Sequence, residues 1–310
     1  MMFRKMMAGA ALAAALIGSP AMAQERISIG TGGTGGLFYV IGAGMADVLN
    51  KHMEEATARA EVTGASVENI RRVAAGQMTF GFSSSSTLYE AKAGEGPFAS
   101  DPQPVAAMAY LYPAVLQIAT VADTGITTME GLAGKRINLG PPGSNAAVLG
   151  RRLLEAHGVF DEDNVQFISY TEGTNALMNG TIDATVVLAG APTAALIDLD
   201  AQRDMVLLPI DPEKTASLFE EYPFYQKFDI PAGTYPDQEE AVAAVNDPAT
   251  LFVKQDADEA LVETITRTIF EHLDELGEVH PQAKAIAVDT ATQTPIDLHP
   301  GAKSYFDSVK

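Results

Sequence analysis

The chain has 310 residues and a formal net charge of −20 at pH 7, and it contains no cysteine. The acidic balance argues against nucleic acid or an anionic membrane surface as a partner. Without cysteine the protein has no disulfide, no cysteine nucleophile and no cysteine-based metal site. The length is sufficient for two domains with a sizeable buried core.

The first 23 residues have the three parts of a secretory signal peptide. Arg4 and Lys5 precede an apolar stretch at residues 6–17, and a small-x-small sequence ends at Ala23. The apolar stretch is shorter than the roughly 20 residues that a membrane-spanning helix needs. We therefore predict export, cleavage after Ala23 and no direct insertion of the mature chain into the membrane. A buried N-terminal helix is the alternative.

The remaining chain alternates between short strand patterns and amphipathic helix patterns. Strands are predicted at residues 26–29, 60–62, 79–82, 105–111, 116–120, 136–139, 165–169, 184–188 and 205–208. Helices are predicted at residues 37–53, 67–75, 146–157, 174–179, 193–200 and 258–276. This alternation predicts an α/β fold with parallel sheets that are covered on both faces.

Two segments are predicted to cross between two lobes. The first crossing is placed at residues 110–114, and the second near Tyr222–Pro236, which is rich in Pro, Tyr and Gly. Lobe 1 then comprises residues 24–112 and 223–310, and lobe 2 comprises residues 113–222. Such a pair of lobes holds a ligand in the cleft between them.

The most informative local signal is the run that ends at Gly36, just before the helix predicted at residues 37–53. A β-branched strand there leads into five glycines and two threonines. Glycine lets the backbone approach a ligand closely, and the helix start behind it offers free N–H groups to an anion. The run also fits the dinucleotide pattern G-x-G-x-x-G, but no acid stands where a ribose would need one. A small-anion cradle is favoured over a dinucleotide site or an empty structural turn.

Three further loops place polar side chains at predicted helix starts. Ser66 is a good N-cap, and Asn69 lies one turn into the same helix. Four serines at residues 83–86 follow a predicted strand, and open α/β sheets bind ligands at the carboxyl ends of strands. In the second lobe, Ser144 or Asn145 caps the next helix. Each of these side chains has two interpretations, a helix cap or a ligand contact.

The sequence gives little support for catalysis. The five histidines are scattered, and no paired-histidine metal motif, nucleophile elbow or Walker motif occurs. We therefore predict a non-enzymatic binding protein without cofactor or metal, whose ligand is not held by a single arginine. A secreted hydrolase that uses a serine of residues 84–86 is the less favoured alternative, because no convergent base is evident.

The ordered motifs resemble those of the TAXI family, the solute-binding proteins of one class of TRAP (tripartite ATP-independent periplasmic) transporters. The resemblance covers residues 27–306 and rests on the glycine loop and on residues 63–69, 111–113, 141–144, 188–193, 208–210, 222–225, 230–235 and 298–302. It implies a two-lobed type II periplasmic-binding-protein fold with the ligand in the interlobe cleft.

The resemblance also implies the function. Such a protein binds a small carboxylate such as glutamate or 2-oxoglutarate in the periplasm and delivers it to membrane permease subunits driven by an ion gradient. The implied ligand contacts are Gly33, Thr34, Tyr39, Ser66, Asn69, Ser84, Ser85, Ser86, Ser144, Asn145, Gly190 and Thr193. A periplasmic sensor subunit that binds the same ligand is the alternative.

Overall fold

The computed structural model describes residues 25–54, 56–222 and 224–309, so the predicted signal peptide and its cleavage site lie outside the described residues. The strands are β1 Glu25–Gly30, β2 Ala56–Glu61, β3 Phe80–Ser84, β4 Val105–Tyr112, β5 Val115–Val121, β6 Ile137–Asn138, β7 Val165–Gln166, β8 Ala184–Ala189, β9 Met205–Leu207, β10 Gln226–Ile230, β11 Val242–Asn246 and β12 Ala249–Lys254. The α-helices are α1 Leu37–His52, α2 Ser66–Ala74, α3 Ser85–Ala93, α4 Asn145–Ala156, α5 Tyr170–Met178, α6 Ala194–Asp200, α7 Ala216–Glu221, α8 Glu259–Phe270, α9 Leu273–Val279 and α10 Pro300–Ser308.

The strands form two mixed sheets, one in each lobe. The first has the order β2-β1-β3-β12-β4, and the second has the order β10-β11-β5-β8-β6-β7 with β9 paired to β5. The predicted two-lobed α/β fold is therefore confirmed, whereas the prediction of purely parallel sheets is wrong. Strand β12 begins beside the last residue of β3, since Ala249 pairs with Ser84. It therefore runs antiparallel to β3.

The chain crosses between the sheets twice. Residues 113–114 join β4 to β5, and residues 247–248 join β11 to β12. The Asp247 N–H donates to the Ala114 carbonyl at 2.7 Å, so the two crossings lie side by side. The placement of the second crossing near Tyr222–Pro236 is wrong, because β10 and β11 extend the edge of the second sheet. The domain bounds stay a prediction, and the strand pairing favours a second lobe that continues to about residue 246.

The predicted helices largely follow the apolar pattern, with one break, whereas α7 and α10 were not predicted. In α1 the residues Leu37, Ile41, Met45 and Leu49 are buried as expected. The helix predicted at residues 258–276 is two helices, α8 and α9. A helical turn takes 3.6 residues, so apolar residues spaced by four gradually move around the surface of a straight helix. A break between α8 and α9 turns the apolar side chains back toward the core. Among the described residues, no helix is both long and apolar enough to cross a membrane.

Candidate functional site

A narrow cleft between the lobes lies where β3 and β8 end. Its walls are Gly32, Gly33, Gly36, Leu37, Phe38, Ala65, Ser66 and Ser84 from the first lobe, and Pro141, Ser144, Asn145, Ala146, Tyr170 and Leu188 from the second. The space between atoms is about 380 Å³, including open solvent, and its enclosed part holds little more than one water molecule. An organic solute therefore enters only when the lobes separate.

Four helices begin with a residue that lines this cleft, at Leu37, Ser66, Asn145 and Tyr170. The first N–H groups of a helix have no acceptor within the helix and carry the positive end of its dipole. None of the residues that line the cleft has a charged side chain. The cleft can therefore bind an anion through neutral N–H and hydroxyl donors. The start of α2 is partly used, because the Val67 N–H donates to the Gly143 carbonyl of the other lobe at 3.0 Å.

Two glycines allow this close approach of the lobes. A Cβ on Gly64 would clash with the carbonyl oxygen of Pro142, which is a backbone atom of the second lobe. A Cβ on Gly35 would clash with the Thr171 hydroxyl, also in the second lobe. The lobes thus touch at positions where any side chain would hold them apart.

The start of α2 is strained and differs from the prediction for Ser66. Ala65 is the N-cap, with φ 70° and ψ −141°, and a positive φ is costly for a residue that has a Cβ. Because the chain turns before Ser66, the Ser66 hydroxyl accepts from the Ser84 N–H at 3.0 Å instead of capping α2. The N-cap prediction for Ser66 is wrong. Strain of this kind concentrates at binding sites.

Asn69 is buried beneath the glycine loop and does not line the cleft. Its Nδ2 donates to the carbonyl oxygens of Thr31 at 2.7 Å and Phe82 at 2.9 Å. Its Oδ1 accepts from the Thr63 hydroxyl at 2.7 Å. These three hydrogen bonds fix the glycine loop against the end of β3. The geometry therefore favours a positioning role for Asn69.

The serine cluster divides into one residue that lines the cleft and others that hold the framework. Ser84 lines the cleft, and its Oγ has no hydrogen-bond partner among the described residues. Ser85 Oγ is 2.8 Å from Thr250 Oγ1 on β12. Ser86 donates through its N–H, at 3.0 Å, and through its hydroxyl to the Asp247 carboxylate. Only Ser84 therefore remains free for a ligand.

On the opposite wall, Ser144 is confirmed as the N-cap of α4. Its hydroxyl accepts from the Ala147 N–H at 3.3 Å and donates to the Pro141 carbonyl at 2.7 Å. Asn145 Nδ2 donates to Ser86 Oγ at 3.1 Å and to the Asp247 carboxylate. Asn145 thus connects the second lobe to the first lobe and to the crossing.

Asp247 is a central polar residue of the crossing that the sequence analysis missed. It is fully buried, and burial raises the pKa of its carboxyl to about 7, although the hydrogen bonds from Ser86 oppose the shift. Its signal was the Asp-Pro pair between two apolar runs, which is typical of a turn. That signal gives no hint of the residues on other elements that surround the carboxylate.

A buried ion pair also joins the lobes, and it too was missed. Arg152 Nη2 on α4 lies 2.6 Å from Glu90 Oε1 on α3, and the two side chains are 14% and 2% exposed. Arg152 also donates to the Tyr225 hydroxyl at 2.8 Å and lies over the Tyr222 ring. Burial raises the pKa of Glu90, and the charge of Arg152 opposes this. Arg152 does not line the cleft, so it links lobes without touching the space for a ligand.

The predicted contacts separate into two groups. Those that line the cleft are Gly33, Ser66, Ser84, Ser144 and Asn145; those that do not are Thr34, Tyr39, Asn69, Ser85, Ser86, Gly190 and Thr193. Thr34 is exposed, and Tyr39, in the first turn of α1, is partly buried. Thr193 donates to the Gly190 carbonyl at 2.9 Å and accepts from Gln117 Nε2 at 3.2 Å. The apolar residues that line the cleft, such as Tyr170 and Leu188, were missed. Their sequence pattern is the same as that of residues in the hydrophobic core.

One side-chain group within the described residues has the composition of a metal site. His52, His272 and Glu275 place their ligand atoms within 4.8 Å of one another. The two imidazole rings stack at 3.5 Å, and Glu275 also accepts from Lys51 at 2.9 Å. The expectation that the histidines are scattered is wrong for this pair. The group lies on the outer surface of the first lobe, away from the cleft.

Comparisons with known proteins agree with this architecture. A model of the NMT1-like family matches residues 29–308. The structure of MatC from Rhodopseudomonas palustris with bound malate has a TM-score of 0.57 at 15% identity, covering 91% of this chain and 97% of that one. A putative L-cystine ABC transporter from Listeria monocytogenes has a TM-score of 0.52 at 14% identity, covering 87% and 99%. A histidine kinase sensor domain similar to periplasmic binding proteins has a TM-score of 0.51 at 12% identity, covering 86% and 98%. At these identities the structures show the fold, which is the predicted periplasmic-binding-protein fold.

Proposed function

Because the chain belongs to the NMT1-like family and has the fold of periplasmic solute-binding proteins, we propose that it is a periplasmic receptor that captures a small organic anion and delivers it to a membrane permease. The observation that carries the proposal is the convergence of helix starts from opposite lobes, at Leu37 and Asn145, on one uncharged cleft. Free N–H groups and helix dipoles bind anions in such a position.

Binding and lobe closure are one event in this proposal. An anion that contacts both lobes stabilises the closed conformation over the open one, and the closed surface is what the permease recognises. The narrowness of the cleft supports this order of events, because the solute cannot enter without separation of the lobes. A closed cleft also excludes water, which strengthens each hydrogen bond to the anion.

The finer proposal is a carboxylate of the glutamate or 2-oxoglutarate kind and a TRAP-type permease. It is supported by the resemblance to the TAXI motifs and by the malate bound to MatC, a protein of similar fold. We further propose that the protein is not an enzyme. None of the residues that line the cleft is a histidine, lysine, aspartate or glutamate, so Ser84 has no base beside it there.

Titration calorimetry with amino acids, keto acids and dicarboxylates tests the receptor function. One organic anion is expected to bind with a stoichiometry of one. At a hundredfold excess over Kd it should raise the free energy of unfolding by about 2.7 kcal/mol, and the melting temperature should rise accordingly. Ser66→Ala and Ser144→Ala should each weaken binding, because they alter opposite walls. If neutral sugars alone stabilise the protein and no anion gives a binding signal, the proposal is contradicted.

Two further measurements test export and the permease. N-terminal sequencing of protein from the periplasm should begin at Gln24, and an intact Met1 in soluble cytoplasm would contradict export. Uptake of the identified anion by cells should need this protein and should stop when the ion gradient is dissipated, even with ATP present. Uptake that follows ATP instead would replace the TRAP permease by an ATP-driven one.

A sensor subunit is the second candidate, because the fold is also that of a histidine kinase sensor domain. The receptor and the sensor bind the same ligand and differ in the partner. Deletion of the gene separates them: a receptor deletion abolishes uptake, whereas a sensor deletion leaves uptake intact and abolishes a transcriptional response to the anion.

A further inference from the structure

Two buried polar atoms of the cleft have no hydrogen-bond partner in the part of the chain that the structure describes. Ser84 Oγ and Asn145 Oδ1 make no hydrogen bond among the described residues. Both residues are 1% exposed, and they line the cleft from opposite lobes. Leaving a buried polar atom unpaired is costly, and such atoms are rare. Their presence together in one cleft is explained if a ligand supplies the missing hydrogen bonds.

The orientation of the Asn145 amide is fixed by Asp247. The carboxylate of Asp247 and the hydroxyl of Ser86 both accept from Asn145 Nδ2. Above its pKa of about 7 the Asp247 carboxyl is ionised and can only accept, so at that pH the amide nitrogen must face it. The oxygen of the same amide is consequently the atom left without a partner. An amide turned the other way would bring its oxygen against the carboxylate.

This arrangement selects the chemistry of the ligand. Asn145 Oδ1 can only accept a hydrogen bond, whereas the Ser84 hydroxyl can donate or accept. A carboxylate or keto oxygen placed against Oδ1 would be repelled, and an aliphatic carbon would leave it unpaired. The helix starts at Leu37 and Asn145 meanwhile supply donors to a carboxylate.

We infer that the ligand carries, beside its carboxylate, a hydroxyl or ammonium group that donates to Asn145 Oδ1. The ligand is then a hydroxy acid or an amino acid, in preference to a keto acid or an unsubstituted carboxylate. This inference rests on the proposed function, because it describes the ligand of the same cleft. Asp247 acts through Asn145 and is a positioning residue.

Calorimetry with matched acids tests the inference. The pairs are malate against succinate, glutamate against 2-oxoglutarate and glutarate, and lactate against pyruvate and propionate. In the series that binds, the donor-bearing acid is expected to bind about tenfold or more tightly than its partners, since the partners leave Oδ1 unpaired. Equal affinity, or tighter binding of the keto or unsubstituted acid, would overturn the inference and leave the anion receptor standing. Failure of every organic anion to bind would overturn both.

Two variants test the atoms involved. Asp247→Asn conserves size but offers both a donor and an acceptor, so the Asn145 amide is free to turn, and the ratio of affinities within a pair should fall severalfold. An unchanged ratio in the folded variant would overturn the role of Asp247. Ser84→Ala removes a hydroxyl that has no intramolecular partner. The substitution should weaken binding of the donor-bearing ligand without lowering the melting temperature of the ligand-free protein. Unchanged binding would mean that Ser84 does not contact the ligand.

Discussion

Helices α3 and α4 meet across the lobes in two regions that differ in chemistry. Near their first residues, where Ser84 and Asn145 line the cleft, the lining side chains are uncharged and two polar atoms are unpaired among the described residues. One to two turns further along, Glu90 and Arg152 form a buried ion pair that lies outside the cleft. We call the second region the latch, comprising Glu90, Arg152 and Tyr225.

The difference separates two tasks. The neutral region has free donors and acceptors, so its hydrogen bonds are available to a ligand and decide which ligand fits. In the latch, Glu90 Oε1 is paired with Arg152, while Glu90 Oε2 makes no hydrogen bond among the described residues. The ion pair lies outside the cleft, so it stabilises contact between the lobes whatever the ligand is. Selectivity and closure can therefore be altered independently, and the following substitutions are expected to show this.

The largest effect is expected at the latch. Arg152→Met leaves Glu90 buried without its partner, and breaking a buried pair costs about 3–5 kcal/mol. We expect a large fall in melting temperature and weaker binding of every ligand by a similar factor. Arg151→Met is the matched control, because Arg151 makes an exposed pair with Glu155 that is worth less than about 1 kcal/mol. Equal effects of the two substitutions would contradict a latch.

Gly64→Ala blocks the neutral region. The added Cβ meets the backbone of Pro142, which cannot move unless the lobes separate. Binding should weaken by about a hundredfold, or about 2.7 kcal/mol, while the ligand-free protein remains folded. Gly277→Ala on α9 is the control, because its Cβ meets only the flexible side chain of Lys284. Normal binding by the Gly64 variant would mean that the ligand-bound lobes are further apart than in this structure.

The carboxyl group of Asp247, between the two regions, makes stability depend on pH. Its pKa is raised from about 4 to about 7 on folding, so the folded state binds the proton more tightly than the unfolded state. This contribution is fully present below about pH 4 and is lost as the pH rises through about 7, with a slope of up to about 1.4 kcal/mol per pH unit. Urea unfolding from pH 4.0 to 7.5 should show this decline in the wild type relative to Asp247→Asn. Parallel curves would contradict a raised pKa.

The smallest effect is expected from the cap on the second wall. Ser144→Ala should cost about 1 kcal/mol of stability, because the Ala147 N–H loses its acceptor. The first wall has no equivalent, since Gly36 caps α1 without a side chain. Melting of the ligand-free variant gives the cap contribution, and calorimetry then gives any additional loss in binding. A fall in melting temperature with unchanged Kd would make Ser144 a cap and nothing more.

The fold was predictable from the sequence where local pattern decides structure. The apolar spacing in α1 and the glycine loop before it gave the right helix start within a residue. Strands β10, β11 and β12 were all missed. Strand β10 is mostly exposed at a sheet edge, and β11 is rich in alanine, which has little strand preference. The crossing at residues 247–248 was misplaced for the same reason.

The cleft was predictable in part. Ser84, Ser144 and Asn145 follow the rule that ligands lie at strand ends and helix starts. The latch was not predictable, because Glu90 and Arg152 are far apart in sequence and each sits in an ordinary helix pattern. The true N-cap of α2 was missed since no composition rule places a strained alanine before a serine. Pairing across lobes is a property of the folded chain, which local spacing does not encode.

The two crossings limit how the lobes can move. Residues 113–114 and 247–248 are short, adjacent and tied by the 2.7 Å bond from Asp247 to Ala114. Two short hinge segments that lie side by side and are joined by a hydrogen bond define one hinge axis. The lobes can rotate about this axis, but the paired segments resist sliding or twisting of one lobe against the other. In a rotation about such an axis, points far from the crossings separate further than points close to them. A solute therefore gains most room on the side of the cleft that lies farthest from the crossings.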